Sequence, residues 1–282
     1  MKYKRNTNVK RTEEEVLKWY NEYLSSNLTT KDLNIKYNTD VYYQFKKYSL
    51  IITKKIKRRP TRFKKINYFF DKITNENEAY IMGFFLADGS VNKDKNLIKF
   101  HQKDILILQK IRDYCMPDAS ITKDKNSWVL NICSKQIGNN LKEIFNIDNT
   151  KSYLDFKLPF MENDLYRHFI RGYFDADGTV YYDRKYLKWN ICSITNIILL
   201  EIQNILTESN INSNLNCEIR EGKKILLPQG NFIYNSKNMY RLRVGKNKNL
   251  YKLFDFLYKD ATIFLERKHS IFKQYTNIEL TK

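Results

Sequence analysis

GFFLADGSV stands at Gly83–Val91, and GYFDADGTV stands at Gly172–Val180. Six of the nine positions are identical, two more differ only as Phe/Tyr and Ser/Thr, and the copies lie 89 residues apart. The first extends back to EAYIMGFFLADG (78–89), an apolar run with helix-compatible Ala79, Ile81, Met82, Phe85 and Leu86. A helix apolar on every side must be buried. Gly83 and Gly172 fall inside these helices, where glycine costs about 1 kcal/mol against alanine. A cost repeated at matched positions calls for a repeated reason, and close backbone approach of one helix to the other is the simplest. Gly89 and Gly178 suit the left-handed residue that ends a helix. Asp88 and Asp177 then sit at helix carboxyl ends, where the helix dipole disfavours an anion. Two carboxylates and two negative helix ends brought together call for protons or a cation. Mg²⁺ with oxygen ligands is the natural partner, and such a site suits metal-assisted phosphodiester hydrolysis.

A wider repeat follows each nonamer. LIKFHQ (97–102) and LKWNICS (187–193) read as strands, and DILILQKIRDYC and TNIILLEIQNIL as helices capped by Asp104 and Thr195. WVLNICSK (128–135) matches MYRLRVGK (239–246) at a spacing of 111 residues, so the second half holds 22 extra residues, expected around 220–238. LKEIF and LYKLFDFLY close the halves as helices. The expected fold is α+β, with two pseudo-symmetric αββαββα halves over 77–160 and 161–282.

Charge is uneven. The 282 residues carry 50 Lys+Arg and 31 Asp+Glu, a net +19, of which +12 lies in residues 1–66. Such an excess favours a polyanion through counterion release. The amino-terminal region (1–60) reads as a separate all-α module. Thr12 caps a helix opened by Glu13, Glu14 and Glu15 with a stripe of Val16, Leu17, Tyr20 and Leu24; a short helix starts at Thr29 or Thr30; NTD (38–40) turns into a third helix. This order resembles a helix-turn-helix, whose last helix enters the major groove. Tyr42, Tyr43, Gln44, Lys46 and Lys47 are its expected exposed readers. KKIKRRPTRFKK (54–65), with Arg58 and Arg59, lies in a basic linker expected over 61–76 and its approach, suited to tracking phosphates.

Cys115, Cys133, Cys192 and Cys217 show no C-x-x-C spacing and the three histidines are scattered, so no zinc site is expected and the thiols read as reduced. MKYKRNTNVKR lacks the apolar core of a secretory leader, and no run is long enough to span a membrane. A soluble intracellular protein is expected.

IMGFFLADG and IRGYFDADG resemble the paired signature of the LAGLIDADG homing endonucleases, over roughly residues 77–282. The resemblance implies motif helices at the interface of the halves and Asp88 and Asp177 as metal-binding acids, with the carbonyls of Ala87 and Ala176 as further ligands. It implies saddle-shaped antiparallel sheets over the major groove, with Lys99, Lys188, Asn190, Arg241 and Arg243 as readers. It also implies a basic residue at each scissile phosphate, for which Lys135 and Lys246 occupy matched positions, and a water-positioning polar residue at Gln102, replaced by Ser193 in the second half. The implied activity is Mg²⁺-dependent double-strand cleavage by a monomer at a long asymmetric DNA site. An intron-RNA-binding maturase and a non-catalytic transcription regulator are the alternatives. An initial Met, without a terminal Cys or His-Asn pair, suggests a free-standing or intron-encoded chain rather than one spliced from an intein.

Overall fold

In the computed structural model, the described residues are 11–26, 28, 30–52, 70–92, 96–145, 147, 157–184, 186–226, 229–234 and 236–280. They fall into two compact units, divided between Arg62 and Phe63.

The first unit is all-α: α1 (Glu13–Ser25), α2 (Thr30–Tyr37) and α3 (Val41–Lys47). Thr12 and Glu15 form a reciprocal capping box at the start of α1. Asp40 caps α3. Its core is Val16, Trp19, Tyr23, Leu33, Val41 and Phe45. Leu17 and Leu24 are exposed, contrary to the expected stripe. At 3.6 residues per turn the buried face runs through 16, 19 and 23, and the large aromatics claim it. Thr29 as a cap lies outside the described residues.

The second unit holds two halves with one connectivity. The first is α4 (Glu76–Asp88), β1 (Gly89–Asn92), β2 (Leu97–Gln102), α5 (Ile105–Cys115), β3 (Ser120–Asp124), β4 (Ser127–Cys133) and α6 (Lys135–Glu143). The second is α7 (Tyr166–Asp177), β5 (Gly178–Asp183), β6 (Tyr186–Ser193), α8 (Ile197–Glu208), β7 (Asn214–Ile219), β8 (Lys224–Leu226), β9 (Phe232–Tyr234), β10 (Met239–Val244) and α9 (Asn247–Tyr258), followed by α10 (Glu266–Leu280). The sheets are ordered β1-β2-β4-β3 and β5-β6-β10-β7, antiparallel throughout. The α+β reading with αββαββα halves is therefore correct. The 22-residue excess is the region of the β8–β9 hairpin, between β7 and β10. The expected linker ends earlier than 76, because Phe70 and Ile73 already belong to the buried core. Asp104 caps α5 as expected. In α8 the Thr195 hydroxyl accepts from Ile197 N–H, although the helix begins one residue past Asn196.

Period-2 burial along β2 puts Ile98, Phe100 and Gln102 on the helix-covered face, and Leu97, Lys99 and His101 on the opposite one. One apolar core joins both halves around α4 and α7.

Candidate functional site

The helices α4 and α7 pack together more extensively than any other pair of described elements. The two interior glycines make this contact. A Cβ on Gly83 would fall 2.1 Å from the Phe169 carbonyl oxygen, and one on Gly172 would fall 1.9 Å from that of Tyr80. Backbone thus meets backbone, as the repeated glycine implied. Gly89 and Gly178 play a different part from the one expected. Their φ values are −74° and −76°, extended rather than left-handed. Each opens a strand, and a Cβ there would lie 2.1 Å from the ring of Phe85 or Phe174. Glycine is required by the aromatic ring folded back over the helix end.

Close packing brings the two carboxyl ends to one cleft of about 330 Å³, lined by Leu86, Ala87, Tyr173, Asp177, Cys192, Ser193, Ile194 and Met239. Asp177 is exposed, and Asp88, Ala87 and Ala176 are half-buried. Both acids act on the same neighbours. Burial raises the Tyr173 phenol, with Asp177 and Asp88 adding to it. Burial lowers Lys268 to about 8, while Asp175, Asp88 and Asp177 pull it back. The donor set at the helix ends consists of carboxylate and carbonyl oxygens, which suits a hard divalent cation that keeps water and phosphate ligands. No cluster of three or more His, Cys, Asp or Glu side chains suited to a metal occurs among the described residues. A cation here would rest on the acid pair and on oxygens from backbone and substrate.

Strand register makes both expected pairs equivalent, but sets only one of them at the acid-bearing end of the sheets. Gly89 pairs with Phe100 and Gly178 with Ile191, so Gln102 and Ser193 are equivalent, each two residues further along. Gln102 is buried, its Oε1 accepting from Lys103 N–H at 2.8 Å. Ser193 lines the cleft and its hydroxyl accepts from Thr195 N–H. Lys135 and Lys246 also occupy equivalent places, at the starts of α6 and α9, and both are exposed. They are not brought to the acids. β4 and β10 run away from the cleft beyond Leu130 and Leu242, the residues level with Gly89 and Gly178. At ~3.3 Å per residue the two lysines lie roughly 13–16 Å further along the strands.

The lysine that does reach the site is Lys268, in α10. Its Nζ donates to the carbonyls of Phe174 (2.6 Å), Asp175 (2.7 Å) and Gly178 (2.5 Å). It caps α7 directly beneath Asp177, countering the negative helix end. Beside it lies a buried polar network that the first half lacks at the matched positions. Asp175 accepts from Tyr80 Oη (2.8 Å), Leu265 N (2.7 Å) and Tyr258 Oη (3.4 Å). Burial outweighs these bonds and raises it to about 6. Arg171, fully buried, donates to Ile263 O (2.9 Å), Leu257 O (2.7 Å), Glu76 Oε1 (2.7 Å) and His168 Nδ1 (2.8 Å). Burial pushes Glu76 up, but the Thr262 N–H and hydroxyl and the Arg171 charge outweigh it and hold the carboxyl below its usual range. Burial and Arg171 lower His168 to about 4, so it accepts from Arg171 as a neutral ring, and its 3.8 Å contact with Glu76 is no ion pair.

The expected readers divide. Lys99 lies half-buried on the open sheet face, in a row with Ser90, Asn131 and Ser120. The equivalent row in the second half is Thr179, Asn190, Arg243 and Asn214. Asn190 is only 5 % exposed, its Oδ1 accepting from Thr179 Oγ1 at 3.0 Å, so it is a strut between neighbours rather than an open reader. Lys188 is exposed, 4.0 Å from Asp183. Arg243 and Arg241 share Glu218, at 2.6 and 3.3 Å. In the smaller unit Tyr42, Tyr43, Lys46 and Lys47 are exposed on α3, but Gln44 is half-buried with Oε1 turned inward. Arg58 and Arg59 lie outside the described residues.

No described helix is long and apolar enough to cross a membrane. Among curated proteins, the chain is 31 % identical over 117 residues to DNA-directed RNA polymerase subunit Rpo1C of Methanocaldococcus jannaschii, covering 39 % of this chain but 13 % of that subunit. Among solved structures it resembles full-length DUF199/WhiA from Thermatoga maritima (14 % identity, 75 % of this chain and 64 % of that one, TM-score 0.43). It also resembles variants of the homing endonuclease I-DmoI (14 % identity, 71 % and 97 %, TM-score 0.44). These structural likenesses assign no residue a role. The model of the LAGLIDADG-like domain matches residues 75–145 and 164–257, more than half of the chain and both helix–sheet halves. With that match over the duplicated motif and its paired acids, the chain belongs to the LAGLIDADG-like family.

Proposed function

We propose that the protein is a site-specific DNA endonuclease that hydrolyses a phosphodiester bond in each strand with the help of a divalent metal. The observation that carries this reading is the close pairing of α4 and α7, held backbone to backbone by Gly83 and Gly172, which sets Asp177 in the lining of the cleft and Asp88 at the matched helix end beside Ala87. Carboxylates at helix carboxyl ends serve no capping purpose. They do serve a cation, with the carbonyls of Ala87 and Ala176 as further oxygens. A bound Mg²⁺ would supply Lewis-acid stabilisation of the phosphate charge and a more acidic water. The chain's own residues would orient the phosphates and hold water. Ser193 and Tyr173 lie in the cleft, and Gln102 takes the Ser193 position in the first half, so the two strands meet unlike surroundings. Lys268 would hold α7's end and Asp177 in place.

The open sheet faces with Lys99, Lys188, Arg241 and Arg243 would lie along the duplex as a monomer's long, asymmetric reading surface. The basic amino-terminal unit would add contacts through Tyr42, Tyr43, Lys46 and Lys47.

The test uses the chain with Mg²⁺ and a plasmid carrying the sequence flanking its own gene, joined as though the gene were absent. A double-strand break at the junction is expected. Asp88→Asn and Asp177→Asn should each lower double-strand cleavage by at least ~10²-fold with DNA affinity retained, as expected when a metal's Lewis-acid contribution is removed, and Ca²⁺ should support binding without cutting. Full cutting by either variant would sink the assignment.

A further inference from the structure

The two halves differ most where a tight turn in one becomes a projecting hairpin in the other. β3 and β4 join through Lys125 and Asn126, with Asp124 facing Ser127. Between β7 and β10 the chain instead builds β8 and β9, which pair only with each other among the described strands. Glu221 N–H bonds Asn238 Oδ1 at 2.9 Å and ties the root. Next to that root is Met239, which lines the cleft with Asp177. The hairpin therefore springs from the acid-bearing end of the second sheet.

Leu226, Phe232, Ile233 and Tyr234 are all exposed. A lone two-stranded hairpin is marginal in water, and clustered exposed apolar side chains mark a contact surface. Pairing of Lys224 with Tyr234 and Leu226 with Phe232 sets these four on one face. The Lys224 ammonium stands 3.8 Å from the Phe232 ring centre. In the sequence of this stretch (220–238) Arg220, Lys223, Lys224 and Lys237 stand against one acid, Glu221. Aromatic rings interleaved with cations suit bases, sugars and phosphates together, whereas an apolar protein groove would leave the cations unmatched.

Resting on the DNA reading above, we propose that the face of Lys224, Leu226, Phe232 and Tyr234 is a second DNA contact, which grips the duplex beside the second half's scissile position. The apolar side chains press on sugar edges and exposed base faces, as wedging side chains do, and Lys223 and Lys224 engage phosphates. Only one half carries the hairpin, so the duplex is held asymmetrically at its centre.

The experiment uses the full chain in Ca²⁺ and a duplex of about 40 bp selected by that chain from a random-sequence pool. Phe232→Ser/Tyr234→Ser should weaken binding about tenfold or more, as aromatic contacts to the bases and sugars are lost, with an unchanged salt slope. Lys223→Gln/Lys224→Gln should flatten the slope of log K against log [salt] by roughly 0.9 for each phosphate no longer neutralised. Hydroxyl-radical protection should fade near the centre of the site and persist at its ends. All four positions are exposed, so melting should not move. Unchanged affinity of both variants on a duplex that the wild type binds would overturn the hairpin contact alone. Loss of protection only at the ends would do the same, as would loss of self-association or of RNA binding with DNA affinity intact. A wild type that selects no duplex would overturn both the hairpin contact and the DNA reading beneath it.

Discussion

Single residues in the second half hold ionisable groups where the first half holds apolar ones. Arg171, Asp175 and His168 occupy the places of Met82, Leu86 and Ala79 at the 89-residue spacing. In sequence a buried charge reads like a surface one, so the network around Arg171 and Lys268 was not legible. The signal available was a triplet of ionisable residues inside a duplicated apolar helix. Two outcomes follow. His168 must stay neutral to accept from Arg171, so its folded pKa, near 4, lies below the unfolded one. The unfolded chain then binds more protons between about pH 4 and 6.5, and stability from this residue rises with pH across that window. Asp175 has the opposite sign, because its raised pKa makes the folded chain hold the extra proton as pH falls toward 4. Urea denaturation of His168→Gln, which keeps an acceptor for Arg171 without a titrating ring, should show a flatter gain in stability from pH 4 to 6.5 than the wild type. Lys268→Met removes three carbonyl bonds and the stronger of the two cations that act on Asp175, leaving Arg171 alone. A loss of about 3–5 kcal/mol is expected from breaking a buried charge arrangement, read as a lowered urea midpoint at pH 7.

At the level of elements, periodicity and capping residues gave the helices and strands, and the repeat gave the two-fold plan. Spacing does not reveal which end of a strand faces the cleft. Lys135 and Lys246 match one another in sequence and in place, yet antiparallel pairing carries both away from the acids. The glycines illustrate the same divide. Gly83 and Gly172 were readable because a helix-interior cost was repeated, whereas the ring stacked over Gly89 and Gly178 leaves no mark in the local sequence. Gly83→Leu or Gly172→Leu would drive a side chain into the facing backbone, which cannot yield as a rotamer can. A destabilisation of ~3 kcal/mol or more is expected, together with loss of cleavage, because both acids ride on the displaced helices. Melting curves and plasmid cutting measured on the same preparation check this, and unchanged values in both would show that the helices do not need that approach.

For the whole molecule, the separation of charge in the sequence coincides with the division at Arg62/Phe63. If the amino-terminal unit adds DNA affinity and no chemistry, a chain beginning at Phe63 should still cut, at higher protein concentration or lower salt. Its salt slope should be shallower by roughly 0.9 for each phosphate that the missing unit had neutralised, and its footprint shorter on one side only. Equal slopes and footprints would remove the DNA role of residues 1–62 and leave the nuclease reading intact. The larger unit is closed by its own carboxyl-terminal segment. Glu76, at the start of α4, is satisfied by Thr262, 186 residues later, and Arg171 and Asp175 draw on Leu257, Ile263 and Leu265. Until residues 257–265 are in place, the helix pair holds Arg171 and Asp175 with only part of their hydrogen bonds made. Interactions of such sequence separation form late and slowly. Order of synthesis thus becomes part of the fold: the two acid-bearing helix ends gain their supports only once residues 257–268 have been made, and a copy broken off before Leu257 is expected to lack them.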